Sequence, residues 1–79
     1  MRQLYLIRLM RAAPRRGRTS LVELHSDDDA IKVGRLLIER EAAGDAGDDL
    51  SVRVGRGPAP GTQWLGAWRW DGGEAHWDA

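Results

Sequence analysis

Gln63-Trp64-Leu65-Gly66-Ala67-Trp68-Arg69-Trp70 is the stretch on which the reading of this chain turns. It has the pattern of one β-strand. Strand side chains alternate faces, so Trp64, Trp68 and Trp70 are expected on one side and Leu65 and Ala67 on the other. The chain has no Phe and a single Tyr, so these indoles and Trp77 mark where its large apolar contact area lies. Three indoles of roughly 150–250 Å² each are a large load for one helix to cover. Two arrangements stay open: tryptophans in the core, alone or with Tyr5, Ile7 and Leu9, or an aromatic patch bordered by Arg69, Arg53 and Arg8 and kept for a partner.

Upstream, Leu50, Val52 and Val54 alternate with Ser51, Arg53 and Gly55, the period of a half-buried strand. Gly57-Pro58-Ala59-Pro60-Gly61 then separates the two strands as a stiff loop. Downstream, Asp71-Gly72-Gly73-Glu74 suits a hairpin turn with positive φ, leading into a short return strand around Ala75 to Trp77. Before these, Ser26-Asp27-Asp28-Asp29 has the composition of a helix start, with Ser26 as cap and acids at the positive end of the helix dipole. The predicted helix runs from about Asp27 to Ala43. It buries Ala30, Ile31, Val33, Gly34, Leu37 and Ile38 and exposes Lys32, Arg35 and Glu39. Gly34 on the buried side lets the helix approach the sheet, at a cost of about 1 kcal/mol relative to Ala.

The N-terminal run Leu4-Tyr5-Leu6-Ile7-Arg8-Leu9-Met10 is short and nearly continuous, as expected of a strand covered on both faces or placed centrally in a sheet, with a helix as the alternative. Pro14 and Arg15-Arg16-Gly17-Arg18 break it. A second strand follows in which Val22 and Leu24 alternate with Leu21, Glu23 and His25, making a hairpin with a basic tip. The expected fold class is α+β: a single-domain ββαββ arrangement spanning residues 1–79, with an antiparallel sheet, one helix packed on one face, and a short extra C-terminal strand. One helix covers one sheet face only, which leaves the other to water or to a partner.

Length and composition exclude more than they assign. A chain of 79 residues is one domain with a small core, since folding at this size buries only about 60% of the unfolded surface. The absence of cysteine removes disulfides, thiolate nucleophiles and thiolate metal sites, and favours a cytoplasmic setting. No apolar run approaches the roughly 20 residues that cross a bilayer, so no membrane partner is expected. The zero net charge hides an asymmetry: residues 1–18 carry six arginines and no acid, whereas residues 19–49 carry nine acids against three bases. His25 and His76 lack ligand or triad spacing, and no phosphate-loop glycine pattern is present. No catalytic, cofactor-binding or metal-binding residue is assigned, and no enzyme activity is expected.

The binding candidates are therefore Trp64, Trp68, Trp70, Arg69 and Arg53 on the aromatic strand and its neighbour, and Arg15, Arg16 and Arg18 on the hairpin. The order of elements resembles that of small phage and prophage anti-CRISPR proteins of ββαββ fold. The resemblance runs from the Leu4 to Met10 strand through the Asp27 helix to Trp64-Leu65-Gly66-Ala67-Trp68 and the Asp71-Gly72-Gly73 turn. It implies a non-enzymatic inhibitor that binds a type I CRISPR-Cas surveillance complex and occludes its nucleic-acid path. The alternative is a small nucleic-acid-binding protein that uses the arginine hairpin tip with stacking from the aromatic strand. A homodimer pairing the open faces is compatible with either.

Overall fold

The Leu4 to Met10 run forms the middle of the first strand, and it lies inside the sheet as its continuous hydrophobicity requires. In the computed structural model, which describes residues 2–11, 16–44 and 50–79, the elements are β1 (Gln3–Arg11), β2 (Arg16–Leu24), α1 (Asp27–Gly44), β3 (Ser51–Arg56), β4 (Gln63–Asp71) and β5 (Glu74–Asp78). The five strands make one antiparallel sheet in the order β2-β1-β3-β4-β5. The helix packs on one face, giving the small α+β domain expected from the pattern.

The core lies between α1 and the sheet. Tyr5, Ile7 and Leu9 from β1, Val52 and Val54 from β3, and Trp68 from β4 meet Ala30, Ile38 and Ala42 of the helix, with Leu50 at one end. Ser26 caps the helix, its Oγ accepting from the Asp29 N–H at 3.2 Å. Gly34 permits the close approach: a Cβ there would stand 2.8 Å from Val54 Cγ2 and 3.0 Å from Trp68 Cδ1. The Trp68 indole N–H donates to the Ile31 carbonyl at 2.7 Å, tying β4 to the helix.

Two expectations are corrected. The first concerns the hairpin: Arg16 to Ser20 belong to β2, paired with β1 from Arg11↔Arg16 to Ile7↔Ser20, and do not form its tip. The Arg15 candidate lies outside the described residues. The second concerns the tryptophans, which do not share a face. A bulge interrupts the β3–β4 ladder: Val54 pairs with Gly66 and Gly55 with Trp64, so Leu65 has no partner. One unpaired residue reverses the alternation for everything before it. Trp68 and Trp70 stay on the helix side, where Leu65 joins them against the core, and Trp64 turns to the opposite face.

Candidate partner-binding face

The helix-free face is built by the alternate positions of every strand. From β1 it takes Leu4, Leu6, Arg8 and Met10, from β2 Thr19, Leu21 and Glu23, and from β3 Ser51, Arg53 and Gly55, with Trp64, Ala67 and Arg69 from β4. Trp64 and the arginines are its centre. Arg53 Cζ lies 4.0 Å from the centroid of the Trp64 ring and Arg8 Cζ 5.3 Å from it, both within cation–π range. Gly55 makes room for the indole, since a Cβ there would meet Trp64 Cε3 at 2.8 Å and also collide with Thr62.

Register sets the charges in order. Arg8 pairs with Arg53 across β1 and β3, and Ser51 with Arg69 across β3 and β4, so the three arginines run diagonally over adjacent strands. The diagonal spans roughly 12 Å at the Cα positions, from the strand spacing and rise. Arg8 Nε reaches Thr19 Oγ1 at 3.4 Å, and Arg69 stands 3.9 Å from Asp78 with both side chains largely exposed. Among the described residues neither Arg8 nor Arg53 has a carboxylate within ion-pair distance. Leu4, Met10 and Leu21 are exposed on the same face, at 40%, 42% and 49%, whereas Leu6 beside Gly55 is buried.

The other candidates fall elsewhere. Trp68 is 8% exposed and packs against Trp77 with centroids 5.2 Å apart and the rings tilted by 57°, so it is core and is withdrawn from the binding face. Trp70 is half-buried on the helix side opposite Ala75. Arg18 also points to the helix side, where its Nη2 donates to Glu41 at 2.8 Å while Arg11 Nη2 donates to the other oxygen at 3.2 Å. Glu41 thus holds the hairpin to the end of the helix. For Arg16 the structure gives the strand pairing alone.

One polar cluster escaped the sequence reading. Asp27 accepts from the Tyr5 hydroxyl at 2.8 Å and is clasped by Arg56 through both Nε and Nη2. The Arg56 and Tyr5 hydrogen bonds hold the Asp27 carboxyl below its ordinary value, while burial first and the Asp27 contact second push the Tyr5 phenol up. The first acid of the Asp27-Asp28-Asp29 run therefore joins the helix start to β1 and β3. His76 Nε2 lies 3.1 Å from the Asp71 carbonyl and 3.5 Å from Glu74, so it belongs to the β4–β5 turn. Among the described residues no group of three or more His, Asp or Glu side chains is placed to share a metal ion, and no helix is long and apolar enough to cross a membrane.

Gly66 inside the strand pattern was the signal for the bulge, because an isolated strand glycine often marks an irregular ladder or a close approach. Both hold here: a Cβ on Gly66 would stand 2.6 Å from Trp77 Cζ2 and 2.7 Å from the Asp78 carbonyl oxygen. No family model matches the chain, and neither a curated protein nor a solved structure matches it.

Proposed function

We propose that this chain is a non-enzymatic binding protein that docks a protein partner on the helix-free face of its sheet. The observation that carries the proposal is the centre of that face: an indole in contact with two arginines that meet no carboxylate among the described residues, with exposed Leu4, Met10 and Leu21 beside them on β1 and β2. Trp and Arg are the residue types enriched where binding energy concentrates, and apolar neighbours exclude water around them. The order of elements supports the inhibitor of the anti-CRISPR kind that the resemblance implies, with a type I surveillance complex as the partner. The test is a pull-down and an interference assay with purified type I complexes. Capture of a complex with loss of target-DNA binding is expected, and Arg53→Glu is expected to abolish both. Unimpaired target-DNA binding by every complex tried overturns the inhibitor reading.

The diagonal of Arg8, Arg53 and Arg69 favours a second reading, in which the same face tracks a nucleic-acid backbone. With the Arg18 side chain drawn to Glu41, this replaces the hairpin tip as the contact. Three phosphate contacts predict that log affinity for a single strand falls against log salt with a slope of about −2. Absent or salt-insensitive binding rejects it.

A further inference from the structure

We infer that Trp64, Arg53 and Arg8 form a preorganised carboxylate receptor, and that the partner docks an acidic protein segment there. The inference rests on the binding reading above and names the chemistry of the partner. Placing like charges directly opposite one another on neighbouring strands is unfavourable, and Arg8 and Arg53 are so placed. Arg11, Arg18 and Arg56 show the chain's usual arrangement, in which an acid of α1 meets each guanidinium. At Arg8 and Arg53 the described residues supply an indole instead. Contact with the Trp64 ring holds both guanidiniums, with Arg8 Nε also donating to Thr19 Oγ1; it restricts side-chain freedom before a ligand arrives and leaves the Nη groups for one. A planar fork held in that way matches a carboxylate with two parallel hydrogen bonds.

Two features select an acidic protein over a nucleic acid. Arg53 already covers the Trp64 ring at 4.0 Å, and the Cε3 and Cζ3 edge of the ring lies over Gly55. A base stacking there has to displace a guanidinium. The surroundings also suit a protein better than a phosphodiester chain: exposed Leu4, Met10 and Leu21 share the face with the arginines, and apolar side chains interleaved with charge are the composition of a protein-binding surface. A second copy of this chain is disfavoured at the same spot, because a two-fold axis through the receptor sets four guanidiniums against one another.

The experiment titrates ¹⁵N-labelled protein with a decaglutamate peptide and, separately, with an eleven-nucleotide oligothymidylate, which carries the same number of charges. Decaglutamate is expected to move the Trp64 indole N–H resonance and the Arg8 and Arg53 Nε–H resonances, and to bind more tightly than the oligonucleotide. Arg53→Gln is expected to weaken decaglutamate about tenfold, the loss of one charge-assisted pair, with Arg40→Gln on the exposed helix surface unchanged. Trp64→Phe, which keeps a ring under the guanidinium, is expected to retain most of the affinity. Tighter binding of the oligonucleotide, shifts confined to other residues, or no binding of decaglutamate overturns the inference. Capture of a type I complex by a protein that ignores decaglutamate refutes the receptor and leaves the inhibitor reading standing. Decaglutamate binding at Trp64 without capture of any complex does the reverse.

Discussion

Replacing Trp68 and Trp64 by alanine, one at a time, separates the two roles that the bulge gives to residues of one strand. Trp68 is 8% exposed, touches the space left by Gly34, and donates its indole N–H to Ile31. Truncating a buried tryptophan costs about 3–5 kcal/mol, because transfer and cavity terms add. A domain of 79 residues holds about 4–12 kcal/mol in all, so Trp68→Ala should consume a large part of it. Trp64 is half-buried on an open face, where water fills the space that the ring vacates and no cavity remains. Burial of roughly 100 Å² at ~25 cal/mol per Å² gives about 2.5 kcal/mol, and a compact denatured state lowers this to about 2 kcal/mol. Each kcal/mol moves the midpoint about 4–8 °C in a domain of this size. Urea and thermal unfolding followed by far-UV circular dichroism avoids the change in tryptophan fluorescence. The expected result is a loss at Trp68 about twice that at Trp64. Equal losses, or a larger loss at Trp64, would refute the assignment of Trp64 to the open face.

The remaining perturbations probe the contacts that set the sheet against the helix. Gly34→Ala gains about 1 kcal/mol of helix propensity but drives a methyl to 2.8 Å from Val54 Cγ2. Overpacking of that kind costs about 1–3 kcal/mol, so a net loss is expected, and a raised melting temperature would contradict the close approach. Asp27 is held below its ordinary value of 3.8, so its contribution is complete above about pH 4 and disappears as pH falls through the depressed folded value. Acid unfolding of the protein is therefore expected to be shallower in Asp27→Asn across that window. For Tyr5, raised above its ordinary value of 10.0, the sign is opposite: stability is complete below about pH 10 and declines as pH rises beyond it. Identical alkaline limbs for the protein and Tyr5→Phe would count against this pairing. Glu41→Gln breaks two ion pairs that tie the hairpin to α1. A loss of about 1 kcal/mol is expected at low salt, shrinking in 1 M salt because both pairs are partly exposed.

Much of this fold was legible because each element carries its own local pattern. The helix from Asp27 was marked by Ser26 and three acids, and the structure extends it from Asp27 to Gly44. Val52 and Val54 alternated with Ser51 and Arg53, and they divide between the faces as expected. Arg16 to Ser20 was missed because its arginines and glycine read as turn chemistry, whereas pairing with β1 makes it strand; tertiary context outweighed local propensity there. The link of Arg11 and Arg18 to Glu41 joins positions 30 and 23 residues apart, a separation over which spacing rules carry no information. Trp64 was misplaced for a different reason. Alternation is counted from an anchor and assumes an unbroken ladder, and Trp64 lies beyond the break.

The bulge also explains why the candidate face has the composition it does. Arg8 and Arg53 occupy the polar side of β1 and β3 by strict alternation with Ile7, Leu9, Val52 and Val54. On an unbroken ladder all the even-numbered residues of β4 share the helix side, which leaves those arginines without an aromatic neighbour and places a fourth indole beside Trp68, Trp70 and Trp77. With Leu65 unpaired, one residue satisfies both sides: its own side chain joins the core, and Trp64 crosses to rest on Gly55 within reach of the two guanidiniums. The room for that ring comes from Gly55, on the strand that also carries Arg53. Packing on one face and the charged aromatic centre on the other thus depend on the same irregularity, which is how bulges commonly re-aim a side chain at functional surfaces.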